Sequence, residues 1–191
     1  MSNHHHNAHN VPASSSSIAT ANSLGFFAFA CTTLVFGLST VTAGGVSQSN
    51  VVLGMAISTG GIAQMLAGMW EVPFTLFGSF WLSYAAILIP GSGIVASYPT
   101  VRELHTALGF FFTAWFAASL LVTYASLKKP TPFIVLFGFL TSSFAFLGAG
   151  EFAAVQAVTK VGGALGVVTA LVAYYLAVGI LIAADQPPAL P

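Results

Sequence analysis

Only eight side chains in 191 residues are Lys, Arg, Asp or Glu, four of each sign, and none lies in the middle of an apolar run. A soluble domain is about one quarter charged, so eight charges cannot cover a water-facing exterior of this size. With 57% of the chain hydrophobic, the solvent for most of its surface is lipid. Balanced charge also removes the electrostatic case for nucleic acid, since no basic patch is present to neutralise phosphates. The single cysteine, Cys31, sits in an apolar run, so no internal disulfide is available.

A helix that crosses the bilayer needs ~20 apolar residues. Six such runs are spaced along the chain at approximately 24–42, 51–70, 74–89, 108–127, 133–150 and 161–184. They are separated by Gly44 and Gly45, by Glu71 and Pro73, by a segment from Pro90 to His105, by Lys128, Lys129 and Pro130, and by Glu151 to Lys160. The expected fold is therefore an all-α membrane protein of six transmembrane helices, with the third barely long enough to cross. Residues 1–23, with His4, His5, His6 and His9 followed by Ser14 to Ser17, read as a disordered polar tail. Residues 185–191 read as a short C-terminal tail. Six spans put both tails on the side of the Lys128/Lys129 pair and Arg102 and Lys160 on the other, a tie on the positive-inside count; the paired lysines flank their helices more tightly, which favours cytosolic tails. His105 reads as a loop residue beside Arg102 and Glu103.

Small residues concentrate in the second run, at Gly60, Gly61 and Gly68, and in the sixth, where Gly162 and Gly166 form a GxxxG spacing. Such positions let helix backbones approach closely in lipid, which predicts a small-residue-rich bundle. Gln64 is the most informative polar residue, because a primary amide in a span must find partners. It serves either as glue between helices or as a contact for a solute. Thr32, Thr33, Ser58, Thr59, Ser142 and Ser143 could line a path, although hydroxyls in helices commonly bond back to their own carbonyls.

No phosphate-binding loop, HExxH, CxxC or nucleophile elbow occurs, and no pair of acids suggests a catalytic dyad. An enzyme, a metal centre and a bound cofactor are not expected. What remains is a pore or carrier whose spans hold hydroxyls, amides and aromatics but no fixed charge. That lining suits a small, weakly charged solute, because a multiply charged anion would be desolvated without a compensating cation. Water, ammonia, glycerol and monocarboxylic acids all satisfy this condition.

Several blocks narrow the choice. Gly60–Glu71 (GGIAQMLAGMWE) resembles the second-helix signature of the acetate uptake transporter family of acetate/succinate permeases. Gly78–Tyr84 (GSFWLSY) is similar to the family's third-helix motif, and Lys160–Tyr175 (KVGGALGVVTALVAYY) to its sixth helix. Ala28, Phe29 and Ala30 with Thr32 and Thr33 match the first, so the likeness runs from about Asn22 to Ala184. The resemblance implies six helices per protomer, a hexamer in the plasma membrane, and passage of acetate and related short monocarboxylates, with a proton in fungal members. It also implies an aromatic–aliphatic constriction, whose members fall by position on Phe29, Phe77 and Leu140. Gln64, Thr32 and Thr33 become the candidate polar contacts for the carboxylate. Each of these residues also has a plain packing explanation.

The chain departs from the family pattern twice. The family approaches its first helix with Asn-Pro-Ala-Pro-Leu-Gly-Leu, whereas Asn22–Phe26 here reads NSLGF, without either proline. Between Glu71 and Gly78 the family carries roughly nine further residues, about 13 Å of helix, and Phe77 stands where Tyr is usual. The resemblance thus points to a fungal type with a shortened third helix. It leaves an alternative to transport, a truncated paralogue that joins hexamers of intact homologues without conducting. An ammonia or water channel is a third reading.

Overall fold

The computed structural model describes residues 13–45, 50–69 and 71–185. Six helices make up the bundle, and the histidine cluster of the N-terminal tail lies outside the described residues. They are α1 (Ala13–Thr40), α2 (Asn50–Ala67), α3 (Val72–Leu88), α4 (Val101–Ala125), α5 (Thr131–Ala153) and α6 (Gln156–Asp185). Five are long and apolar enough to cross a membrane, and α3, with 17 residues, is the exception. At 1.5 Å per residue it spans about 25 Å, short of the ~30 Å hydrocarbon core. Proline frames it at both ends: Pro73 occupies its first turn, where the missing N–H is harmless, and Pro90 follows its C-terminus.

Several helices extend beyond the apolar runs. Helix α1 begins at Ala13, inside the stretch expected to be tail. There Ser23 is buried and its Oγ donates to the Ala177 carbonyl of α6 at 2.8 Å. A polar residue whose partner lies in another helix looks like tail in sequence. Helix α4 begins at Val101 instead of 108, so Arg102, Glu103 and His105 are helical. Thr100 caps it, accepting from the Glu103 amide at 3.2 Å. Helix α6 begins at Gln156, which makes Lys160 helical as well. Hydropathy registers only the lipid-buried part of a helix, whereas backbone hydrogen bonding continues into the interface.

Close backbone approach sets the packing of α6. A Cβ at Gly163 would stand 2.6 Å from the Thr40 Cβ of α1, and one at Gly162 would stand 2.8 Å from the Leu147 Cγ of α5. Adjacent glycines thus face different neighbours, and Gly163, not Gly166, is the tight position toward α1. Gly166 has ordinary room, its nearest neighbour being Ser143 Oγ at 3.5 Å. Apolar side chains including Leu121, Tyr124 and Tyr175 are exposed on the outside, as lipid solvation requires. The core is aromatic, with Phe29, Phe36, Phe77, Phe80, Trp81 and Phe144 buried together.

Candidate solute path

Helix α2 does not run as a regular α-helix. Ser58–Ala63 adopts the wider π geometry, which inserts an extra residue into a turn and often marks a functional position. Two glycines within it, Gly60 and Gly61, are buried. A Cβ on Gly60 would meet Trp81 Cδ1 at 2.7 Å and Thr32 Oγ1 at 2.8 Å, and one on Gly61 would meet Leu82 Cδ2 at 2.5 Å. The glycines therefore allow α1, α2 and α3 to meet at one level. Gly68, at the end of α2, is closed over by Phe74, while Thr75 donates to the Gly68 carbonyl at 3.0 Å. This tight corner joins α2 to the short α3.

Gln64 follows the π turn and is fully buried. Its Nε2 donates to the Phe74 carbonyl over a long 3.4 Å, while Oε1 has no partner among the described residues. Thr32 and Thr33, side by side on α1, behave differently. The Thr32 hydroxyl donates to the Ala28 carbonyl at 3.0 Å, which commits it to its own helix, whereas Thr33 Oγ1 is buried without a partner among the described residues.

Four cavities follow one another through the bundle. The first, about 140 Å³, opens near the helix ends on the tail side and is lined by Asn22, Glu71, Lys129 and Phe133. Lys129 Nζ lies 5.7 Å from the Phe133 ring centroid there, within cation–π range. Phe26, Phe74 and Phe137 are shared with the second cavity, which also touches Gln64, Phe77 and Phe29. Phe29 is shared in turn with the third, lined by Thr33, Trp81, Leu140 and Ser143. Phe36 and Leu147 then border the fourth, about 150 Å³, at the opposite mouth beside Glu151 and Thr159.

The two inner cavities measure about 10 Å³ each, room for one water apiece. Phe29 borders both, Phe77 borders the second cavity and Leu140 the third, and all are less than 6% exposed. The Phe29 and Phe77 rings lie 6.0 Å apart at 52°, and Phe137 stacks on Phe77 at 6.1 Å. No charged side chain lines either inner cavity. The charges sit at the mouths: Glu71 and Lys129 at one, and at the other Glu151, whose Oε2 pairs with His105 Nδ1 at 2.7 Å. His105 is thus tied to α5 instead of lying in a solvated loop. Among the described residues, no group of three His, Cys, Asp or Glu could hold a metal ion.

Trp81 and Ser143 also line the third cavity; Ser143 was among the hydroxyls expected to line a path, whereas Trp81 did not stand out in sequence. Ser143 Oγ donates to the Gly162 carbonyl at 2.7 Å and so stitches α5 to α6. Trp81 carried one available signal, a donor-only indole N–H inside an apolar helix.

The sequence profile of the GPR1/FUN34/yaaH family matches residues 3–187. Accumulation of dyads protein 2 of Saccharomyces cerevisiae is 38% identical over 175 residues, covering 86% of this chain and 62% of that protein. Acetate permease A of Emericella nidulans is 30% identical over 172 residues, covering 80% of this chain and 58% of that protein. The succinate-acetate/proton symporter SatP of Escherichia coli is 32% identical over 171 residues, covering 85% and 88%. The chain therefore spans about three fifths of the length of these fungal relatives and nearly all of the bacterial one. The solved structure of the bacterial acetate channel SatP superposes with a TM-score of 0.76 at 31% identity, over 90% of this chain and 97% of that one. The family is one of membrane transporters and channels, not enzymes. The chain is a multi-pass membrane protein and belongs to the GPR1/FUN34/yaaH family, the acetate uptake transporters.

Proposed function

We propose that this chain conducts acetate and related short monocarboxylates through the interior of each protomer, together with a proton. The observation that carries the reading is the succession of four cavities, narrowed between Phe29, Phe77 and Leu140 and free of fixed charge in its inner half. A carboxylate meets Lys129 at one mouth and His105 with Glu151 at the other, and sheds water only over the short apolar stretch between. A dicarboxylate would carry a second charge across that stretch with no cation to meet it. Phe29, Phe77 and Leu140 act as the constriction, with Gln64 and Thr33 as polar contacts on its two sides. Thr32 instead helps to seat Gly60. The protein works in the plasma membrane as a hexamer with cytosolic tails.

Expression in cells lacking other acetate routes tests this reading. Labelled acetate should enter faster than in cells carrying an empty vector. Equal uptake with the protein present in the membrane would overturn it.

A second reading draws on one observation, the 17-residue α3. A helix about 5 Å short of the hydrocarbon core suits a subunit that joins hexamers of intact homologues without conducting. Inserting nine residues of a longer homologue after Glu71 separates the two. Uptake that arises only after insertion supports the non-conducting subunit.

A further inference from the structure

Three buried polar side-chain atoms lack a hydrogen-bond partner among the described residues: Gln64 Oε1, Thr33 Oγ1 and Trp81 Nε1. They divide by chemistry across Phe29. The amide oxygen of Gln64, an acceptor, belongs to the cavity on the tail side. Thr33 and Trp81, both donors, line the cavity on the side of His105. An indole N–H can only donate, and a hydroxyl brings one further proton. Ser143, the remaining hydroxyl of that cavity, is already committed to the Gly162 carbonyl.

Both donors are held in place. Trp81 is 1% exposed and packs edge-on against Phe36 at 5.7 Å and Phe80 at 4.8 Å. Gly60 of the π turn lies against Cδ1, the ring carbon bonded to Nε1, and a methyl group there would stand only 2.7 Å away. Thr33 is 3% exposed, and its hydroxyl does not make the within-helix bond that Thr32 makes. A helical threonine usually bonds back to its own helix, so a free buried one marks a place where another acceptor comes and goes.

We propose that Trp81 Nε1–H and Thr33 Oγ–H together form a subsite for one carboxylate oxygen, immediately beyond Phe29 on the His105 side. The inference rests on the reading above that monocarboxylates pass through this bundle. It makes Trp81 a specificity-determining residue. Two unpartnered donors on one cavity suit an oxygen with several lone pairs, and an anionic oxygen best of all. They favour such a head over ammonia, whose single lone pair can take only one of the two donors. The cavity holds about one oxygen atom, so the alkyl part of the acid rests against Phe29 and Leu140 while the head is bound. Gln64 Oε1, across the constriction, is matched instead to the O–H of the protonated acid.

The test uses the full chain with 15N-labelled tryptophan in detergent micelles, titrated with sodium acetate and, at equal ionic strength, with sodium chloride. Loss of one indole resonance in Trp81→Phe assigns the signal. That resonance should move downfield and saturate with acetate but not with chloride. Thr33→Val, which keeps the shape and removes the hydroxyl, should raise half-saturating acetate about tenfold, the weight of one charge-assisted hydrogen bond. In vesicles, Trp81→Phe and Thr33→Val should raise the half-saturating acetate concentration for uptake at unchanged maximal rate. An indole signal indifferent to acetate overturns the subsite and leaves a single water as its occupant, whether or not uptake occurs. A saturable shift without any vesicle uptake keeps the subsite and removes the transport reading. Because the titration is done on the unaltered chain, it decides the matter even if a variant fails to fold.

Discussion

Gly37 lies directly against the backbone of Gly163: a methyl group at position 37 would sit 2.7 Å from the Gly163 carbonyl oxygen and 2.9 Å from the Val167 amide nitrogen. Val167 Cγ2 also lies at 2.8 Å, but its movement would leave both backbone contacts in place, so α1 and α6 must separate to admit the methyl. Gly37→Ala should lower stability by about 1–3 kcal/mol, the usual cost of overpacking a close interface. Gly179→Ala, in open space within α6, should leave it unchanged or raise it by up to about 1 kcal/mol, since alanine is the better helix former. Thermal unfolding in detergent compares the two.

Gly166 offers the opposite case on the same helix. An added methyl would stand 3.5 Å from Ser143 Oγ and 3.9 Å from Gly37 Cα, ordinary contact distances. Gly166 nevertheless lines the third cavity, which has only about 10 Å³ to lose. Gly166→Ala should therefore keep the melting temperature of the parent and reduce acetate uptake several-fold. Uptake equal to the parent's would show that the solute does not use that cavity.

Leu140 is 4% exposed and borders the third cavity beside Phe29. Truncation to alanine removes most of one wall of the narrowest region. Leu140→Ala should extend the substrate range toward longer acids such as butyrate, while costing about 2–5 kcal/mol in stability. Competition of unlabelled acids against labelled acetate reads the substrate range. An unaltered range in a folded Leu140→Ala protein would take Leu140 out of the constriction.

The six helices were legible because lipid demands long apolar runs bounded by charge, and Glu71, Lys128, Lys129 and Asp185 punctuate them accordingly. The third run was visibly short in sequence, and α3 is short in the structure. Helix ends were less legible, since Ser23 and Arg102 look like tail and loop until the carbonyl of Ala177 and the cap of Thr100 are in view. Among the path residues, Gln64 announced itself by being polar within a span. Trp81 did not, because its ring reads as core and only the unpartnered N–H, a three-dimensional property, sets it apart. The difference between Thr32 and Thr33 was equally hidden. Adjacent identical side chains separate only when one bonds to Ala28 and the other is left free. The π turn of Ser58–Ala63 has no periodicity signature, since it shifts the face of α2 by one residue within a run whose few polar residues, Ser58, Thr59 and Gln64, mark no single face.

Gln64 provides a direct discrimination between glue and path. Among the described residues its one hydrogen bond, to the Phe74 carbonyl, is long at 3.4 Å, and its oxygen has no partner. A buried acceptor without a partner costs about 1–3 kcal/mol, while a weak neutral bond returns about 1 kcal/mol or less. Gln64→Met keeps the length of the side chain and removes both groups, so it should leave the melting temperature equal to the parent's or raise it. If the amide serves the solute, uptake should nonetheless fall by about tenfold, the weight of one lost hydrogen bond to a passing acid. If the amide is glue between α2 and α3, the melting temperature falls and uptake falls only in proportion to the folded protein remaining. Measuring both on the same preparation separates the two roles, because only a path residue loses function while the fold holds or gains.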